Sequence, residues 1–138
     1  MTVELLDEEA PDETDFVICW LAPLLRAGTI RDSADEFPFA AVQRVAGGDD
    51  PDECLDEPVV QVDILAEGVQ AAKLIARQVD RRMKLLGRKQ PDVIMSDGRI
   101  ANADYFLTLQ KPIPMPYKNE LVERLVARYQ LGLSYATA

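Results

Sequence analysis

The side chains able to do chemistry in this chain are carboxylates. The sequence holds 24 Asp and Glu against 15 Lys and Arg, with no histidine and a net charge of -9. Without histidine the commonest general base near neutral pH and the commonest transition-metal ligand are missing. Ser-His and Cys-His nucleophilic pairs cannot be assembled. The densest carboxylates, Asp49, Asp50, Asp52, Glu53, Asp56 and Glu57, lie in GGDDPDECLDE from Gly47 to Glu57. That cluster lacks the alternating ligand spacing and central glycine of a calcium loop. It reads as a solvated acidic loop that projects and repels, with no metal and no cofactor expected. Asp63, Asp80, Asp97 and Asp104 offer acid–base groups, but they are scattered and have no partnered nucleophile or phosphate-binding glycine loop. An enzyme is therefore not the expectation. Cys19, in an apolar helical stretch, and Cys54, in the acidic loop, read as free thiols of a reducing compartment.

The elements that must position these groups centre on Pro58 to Gly87, PVVQVDILAEGVQAAKLIARQVDRRMKLLG. Val60, Val62, Ile64 and Ala66 alternate with Gln61, Asp63 and Leu65, the period of a strand with one buried face. Val69, Ala72, Ala76, Val79, Met83 and Leu86 then recur at helical steps, leaving Glu67, Lys73, Arg77, Asp80, Arg81 and Lys84 toward water. Gly87 is the expected left-handed residue that ends this helix. Arg81, Arg82, Lys84, Arg88 and Lys89 make a basic elbow that complements the helix dipole. The alternative role is to meet the acidic loop or arm of another copy.

Upstream, Thr14 or Asp15 caps a helix over DFVICWLAPLLR, shortened or kinked by Pro23 and closed near Gly28, with Trp20 as a core anchor. Phe37 to Ala46 reads as a strand, and the carboxylate-rich loop, unable to fold back into a sheet, joins it to the strand after Pro58 as a long hairpin tip. Asp97-Gly98 marks a second hairpin. In its second strand Ala101, Ala103, Tyr105, Leu107 and Leu109 share the apolar side, and Phe106 breaks the pattern as a surface patch for a partner. Pro112 to Tyr117 reads as an extended connector. Leu125 to Tyr135 closes the fold as a strand, after a segment ambiguous between helix and strand.

These elements imply an α+β protein. Its expected form is a mostly antiparallel sheet of about four to five strands, with an N-terminal helix and one long central helix packed on it. Residues 1–14, with Glu4, Asp7, Glu8, Glu9, Asp12 and Glu13, form an acidic flexible arm, though Val3, Leu5 and Leu6 offer apolar groups to a neighbour. Residues 15–138 form a single domain. No apolar run has the length of a membrane span, and the N-terminus lacks a secretory pattern, so assembly in the cytoplasm is expected. The charge balance disfavours a general nucleic-acid binder.

FPFAAVQRVAGGDD followed by PVVQVDILAEG, the proline-rich segment and ELVERLVARYQLGLSY together resemble the tail terminator proteins of long-tailed, siphovirus-type bacteriophages. The resemblance spans about Phe16 to Tyr135 and lies in pattern and element order, not in catalytic residues. RVAGGD, VQVDILA and ARYQLGL are its most telling combination. It implies a structural virion protein at the tail–neck junction. Such a protein forms a homohexameric ring that caps the tail tube, stops its polymerisation and docks the head–neck connector, while genomic DNA passes through the lumen without specific binding. Asp49, Asp50, Asp52, Glu53, Asp97 and Gly98 are then candidate lumen or inter-ring loop residues. Arg81, Arg82, Lys84, Arg88 and Phe106 are candidate subunit-interface residues. The competing expectations are another ring-forming neck or head-completion protein, and a small acidic cytoplasmic binding module.

Overall fold

A computed structural model describes residues 2–137. Its elements in order are β1 (Glu8–Glu9), α1 (Glu13–Leu21), β2 (Arg26–Gly28), β3 (Phe39–Ala46), β4 (Asp49–Asp50), β5 (Leu55–Asp56) and β6 (Val59–Glu67). They continue with α2 (Val69–Arg88), β7 (Val93–Ile94), β8 (Ile100–Ala101), β9 (Tyr105–Met115), β10 (Val122–Ser134) and β11 (Ala136–Thr137). The fold is α+β, with both helices against a mostly antiparallel sheet. That sheet has seven strands rather than four to five. Strand β10 is the spine. One edge pairs with β9, and the other pairs with β6 and then with β5 beyond it. The β6 side continues through β3 to β2, whose pairing with β3 is the one parallel ladder of this sheet.

The expected hairpin between the strands flanking the acidic loop is present, with Phe39 opposite Leu65 and Gln43 opposite Gln61. The loop itself corrects expectation. Asp49–Asp50 pairs with Leu55–Asp56, and Leu55–Asp56 pairs with Leu133–Ser134, so carboxylate-rich chain does join the sheet. Asp49 and Asp50 are exposed and Asp56 is buried, while the backbone completes the ladder. These short strands, with β2, account for the extra members.

The core lies between the helices and one sheet face, where Val60, Val62, Ile64, Tyr129, Leu131 and Leu133 meet Phe16, Leu21, Ala76, Val79 and Met83. The alternation read in β6 holds there. Leu65, on the opposite face, is also buried, packed with Phe39 and Val122 under Phe37 and Tyr117. Elsewhere that face combines buried Val59 and Val126 with a polar network. Arg124 binds Asp63 at 2.8 and 2.9 Å, and Gln61 bridges Asp63 and Arg128. Among the described residues no helix is long and apolar enough to cross a membrane.

Several local expectations shift. Helix α1 is capped by Asp12, whose carboxylate accepts from the Thr14 and Asp15 amides, so it begins inside the segment read as an arm. It stops at Leu21, two residues before Pro23. Gly28 lies in β2, where a Cβ would meet the Phe39 ring. Val69, counted on the apolar stripe of α2, is half exposed, and Asp80, counted toward water, is buried. Gly87 stays inside α2, and the left-handed turn after the helix is made by Gln90, φ 47°. The Gln90 side chain holds that turn by donating to the carbonyls of Ala103 and Asp104. Gly87 instead allows close approach, because a Cβ there would sit 2.7 Å from the Phe106 Cβ.

Strand β9 departs furthest. The chain between β8 and β9 is irregular, so the two-residue phase counted from Ala101 is not carried through. Phe106 turns inward against Tyr129, ring centroids 5.3 Å apart, while Leu107 and Leu109 face solvent. The proline segment is not a connector, since β9 runs through Pro112 and Pro114 to Met115 along β10.

Candidate interaction surfaces

At one end of the molecule the chain folds its carboxylates together. Gly47, at φ 93°, starts the tip between β3 and β6, and a Cβ there would run into the Glu57 carbonyl. The Asp50 carboxylate accepts from the Asp52 and Glu53 amides at 3.1 and 3.2 Å, which folds the turn. Asp56 is buried and held by both terminal nitrogens of Arg44, at 2.9 and 3.0 Å, and Glu13 lies 3.7 Å from the same guanidinium. The hydrogen bond to Asp56 raises the Arg44 pKa above its ordinary value.

Two tyrosines tie this hairpin to the C-terminal strands. Tyr135 donates to Asp49, a hydrogen bond that pushes its hydroxyl up to about 12. Tyr105 donates to Glu57 at 2.8 Å, and burial, reinforced by that carboxylate, pushes it up to about 12 as well. The hairpin marked by Asp97-Gly98 forms, but with Ser96 and Asp97 at the centre of its turn: the Gly98 amide donates to the Met95 carbonyl, and Gly98 alone of the pair takes a positive φ, 89°. It docks beside α1 through the Ser96 amide on Asp15. Glu9, Asp12, Glu13, Asp15, Asp56 and Asp97 thus border one hollow, with Arg99 as its cation. With an adjoining hollow bordered by Glu8, Glu9, Asp49 and Asp56 it makes an acidic pole. Of the sequence-predicted loop residues Asp97 borders the first hollow and Asp49 the second, while Asp50, Asp52 and Glu53 line neither and Asp97-Gly98 belongs to a different turn.

The second surface runs between α2 and β9. Lys73, Arg77, Arg81 and Lys84 recur at three- and four-residue steps, so they share one face of the helix. With Lys111 from β9 they border a groove of about 590 Å³ floored by Ala76, Pro112, Pro114 and Leu125. An adjoining hollow continues it past Lys84 and Arg88 to Phe106 and Leu107. Its one buried carboxylate is Asp80, which accepts from Tyr129 at 2.8 Å and from Lys84 at 2.7 Å. Burial, then Asp80, raises the Tyr129 pKa far above the ordinary tyrosine range. Among the described residues Lys73, Arg77, Arg81, Arg88 and Lys111 make no ion pair.

Of the residues read as a subunit interface, Arg81, Lys84, Arg88 and Phe106 thus border one continuous cleft. Arg82 does not join them. Its guanidinium stacks on Trp20 at 3.6 Å and donates to the Trp20 carbonyl, while the indole donates back to the Arg82 carbonyl at 2.8 Å. That desolvated setting lowers the Arg82 pKa. Sequence reasoning missed Lys73, Arg77 and Lys111 as parts of the cleft. The helical spacing of the first two was a usable signal, but nothing in PIPMP shows that a strand there forms the opposite wall.

Among the described residues no group of three or more Cys, Asp or Glu is arranged to hold a metal ion. Both cysteines are free, and burial, with Asp15 behind it, raises the Cys19 thiol pKa. What the surface offers is two areas of opposite charge. The sequence matches no protein-family model and no curated protein.

Proposed function

We propose that the chain is a structural subunit of a closed ring, the tail terminator of a long-tailed bacteriophage. In this reading the ring caps the tail tube, stops its growth and presents a face to the head–neck connector. The carrying observation is charge segregation: an acidic pole and a cationic cleft on one subunit, along which Lys73, Arg77, Arg81, Arg88 and Lys111 make no ion pair among the described residues. Unlike patches on a single chain suit a heterologous contact, and such contacts generate rings when the rotation closes. The likeness of element order to the terminators adds the particular ring. Carboxylates of the 49–53 turn directed at a lumen would repel passing DNA, where basic residues would hold it.

The test is the mass of the full chain in solution, alone and with tail tube protein, followed by negative-stain imaging of the mixture. A ring, expected to be a hexamer, seated on tube ends supports the reading. A ring that ignores tubes but binds head connectors favours a neck or head-completion protein. A monomer or dimer under all conditions favours an acidic binding module and sinks the ring.

A further inference from the structure

We propose that the groove between α2 and β9 receives the acidic N-terminal arm, residues 3–7, of a second copy of this chain. The groove and the arm are complementary in kind. The groove has cations along its rim, Lys73, Arg77 and Arg81 from the helix and Lys111 from the strand, above a floor containing Leu125 and two prolines. The arm reads Val3-Glu4-Leu5-Leu6-Asp7, apolar and acidic side chains interspersed. Val3, Leu5 and Leu6 are 72%, 80% and 65% exposed, so their apolar surface is uncovered in the single chain.

Length agrees as well. The helix rises about 17 Å from Lys73 to Lys84, and five extended residues reach about 17 Å. The same subunit does not satisfy the groove. Its arm is anchored at the acidic pole, where Glu8–Glu9 pairs with Ala136–Thr137, and exposed residues 3–7 precede that anchor. Among the described residues Glu4 and Asp7 make no ion pair, just as the rim cations make none. Two unpaired sets of opposite sign on one chain are brought together by a neighbouring copy. The prolines direct the mode of contact. Pro112 and Pro114 occupy alternate positions on an edge strand, where the missing N–H faces away from the partner strand. An incoming segment therefore finds no row of backbone donors along that stretch and engages through side chains.

This contact deepens the ring reading and rests on it for what the contact builds, and the test separates the two. Four full-length forms are compared by sedimentation: the wild type, Arg77→Glu/Arg81→Glu, Glu4→Lys/Asp7→Lys, and one chain carrying all four changes. All altered side chains are exposed and outside the core, and circular dichroism confirms folding of each form. Lys84 is left unchanged because it holds buried Asp80. Each pair of reversals alone is expected to raise the concentration needed for assembly by about tenfold or more. An equimolar mixture of the two reversed proteins, and the chain carrying all four changes, recover assembly. Wild-type assembly weakens as salt rises from about 0.05 M to about 0.5 M, as screening shortens the reach of exposed charges. Assembled wild type that neither reversal disturbs, or reversals that weaken without restoring each other, overturns the arm–groove contact and leaves the ring standing. A chain that stays monomeric overturns both.

Discussion

Asp80 lies on α2 between Arg77 and Lys84, yet its carboxylate points into the protein onto the hydroxyl of fully buried Tyr129. A buried carboxylate keeps its charge cheaply only while its donors remain. Tyr129→Phe, which removes one donor and leaves the ring, is expected to destabilise the fold by about 1–3 kcal/mol, read from urea unfolding midpoints. Tyrosine hydroxyls also set the response to alkali. Tyr105 and Tyr135 are pushed up to about 12 and Tyr129 further, so the folded state holds these protons more tightly than the unfolded chain does. Their stabilisation is fully present below the unfolded tyrosine value near about pH 10 and is lost as pH rises through the folded values. Unfolding midpoints are therefore expected to fall from about pH 10 toward about pH 12, and Tyr105→Phe makes that fall shallower. A midpoint flat across this interval in the wild type, with the chain still folded, contradicts the assignment.

At the scale of elements, two glycines let β9 lie close to its neighbours. A Cβ on Gly87 would press on Phe106, and one on Gly132 would enter the Tyr105 ring. Alanine inside a helix ordinarily gains about 1 kcal/mol over glycine. At Gly87 the sign reverses, and Gly87→Ala lowers the melting temperature, since β9 must move away from α2. The prolines of β9 act outward. They leave the free edge of a long strand without donors along part of its length, a protection against edge-to-edge pairing. Restoring donors with Pro112→Thr/Pro114→Thr is expected to produce salt-insensitive aggregation visible by light scattering. Colloidal behaviour like that of the wild type would show that the edge was never exposed to pairing.

For the whole molecule the decisive feature is where charge is collected. The chain carries -9 overall, while α2 bears six of its 15 cations and a single carboxylate, Asp80. Exposed single pairs are worth little, and a repeated cationic row facing a repeated acidic segment acts through its number and its salt sensitivity. The salt-dependent mass of the full chain is the measurement at this scale. Much of the framework was legible beforehand, because periodicity is local: the two-residue alternation of β6 and the three- and four-residue steps of α2 are consequences of backbone geometry. The Asp97-Gly98 turn was legible for the same reason, since glycine there relieves a positive φ. Local pattern could not reveal which strand lies beside which, so Leu55–Asp56 entered the sheet against a reading of its charge, and Phe106 turned inward against a count of its phase. The sequence alone determined that helix and strand each hide one face and that carboxylates outnumber cations. Only the tertiary structure decided that Asp97 would sit beside the arm and Lys111 opposite Lys73. The first rests on the Ser96 amide reaching Asp15 and Arg99 reaching Glu9, the second on β9 pairing along β10 beside α2, and such tertiary contacts leave no mark in the local pattern of the residues that they bring together.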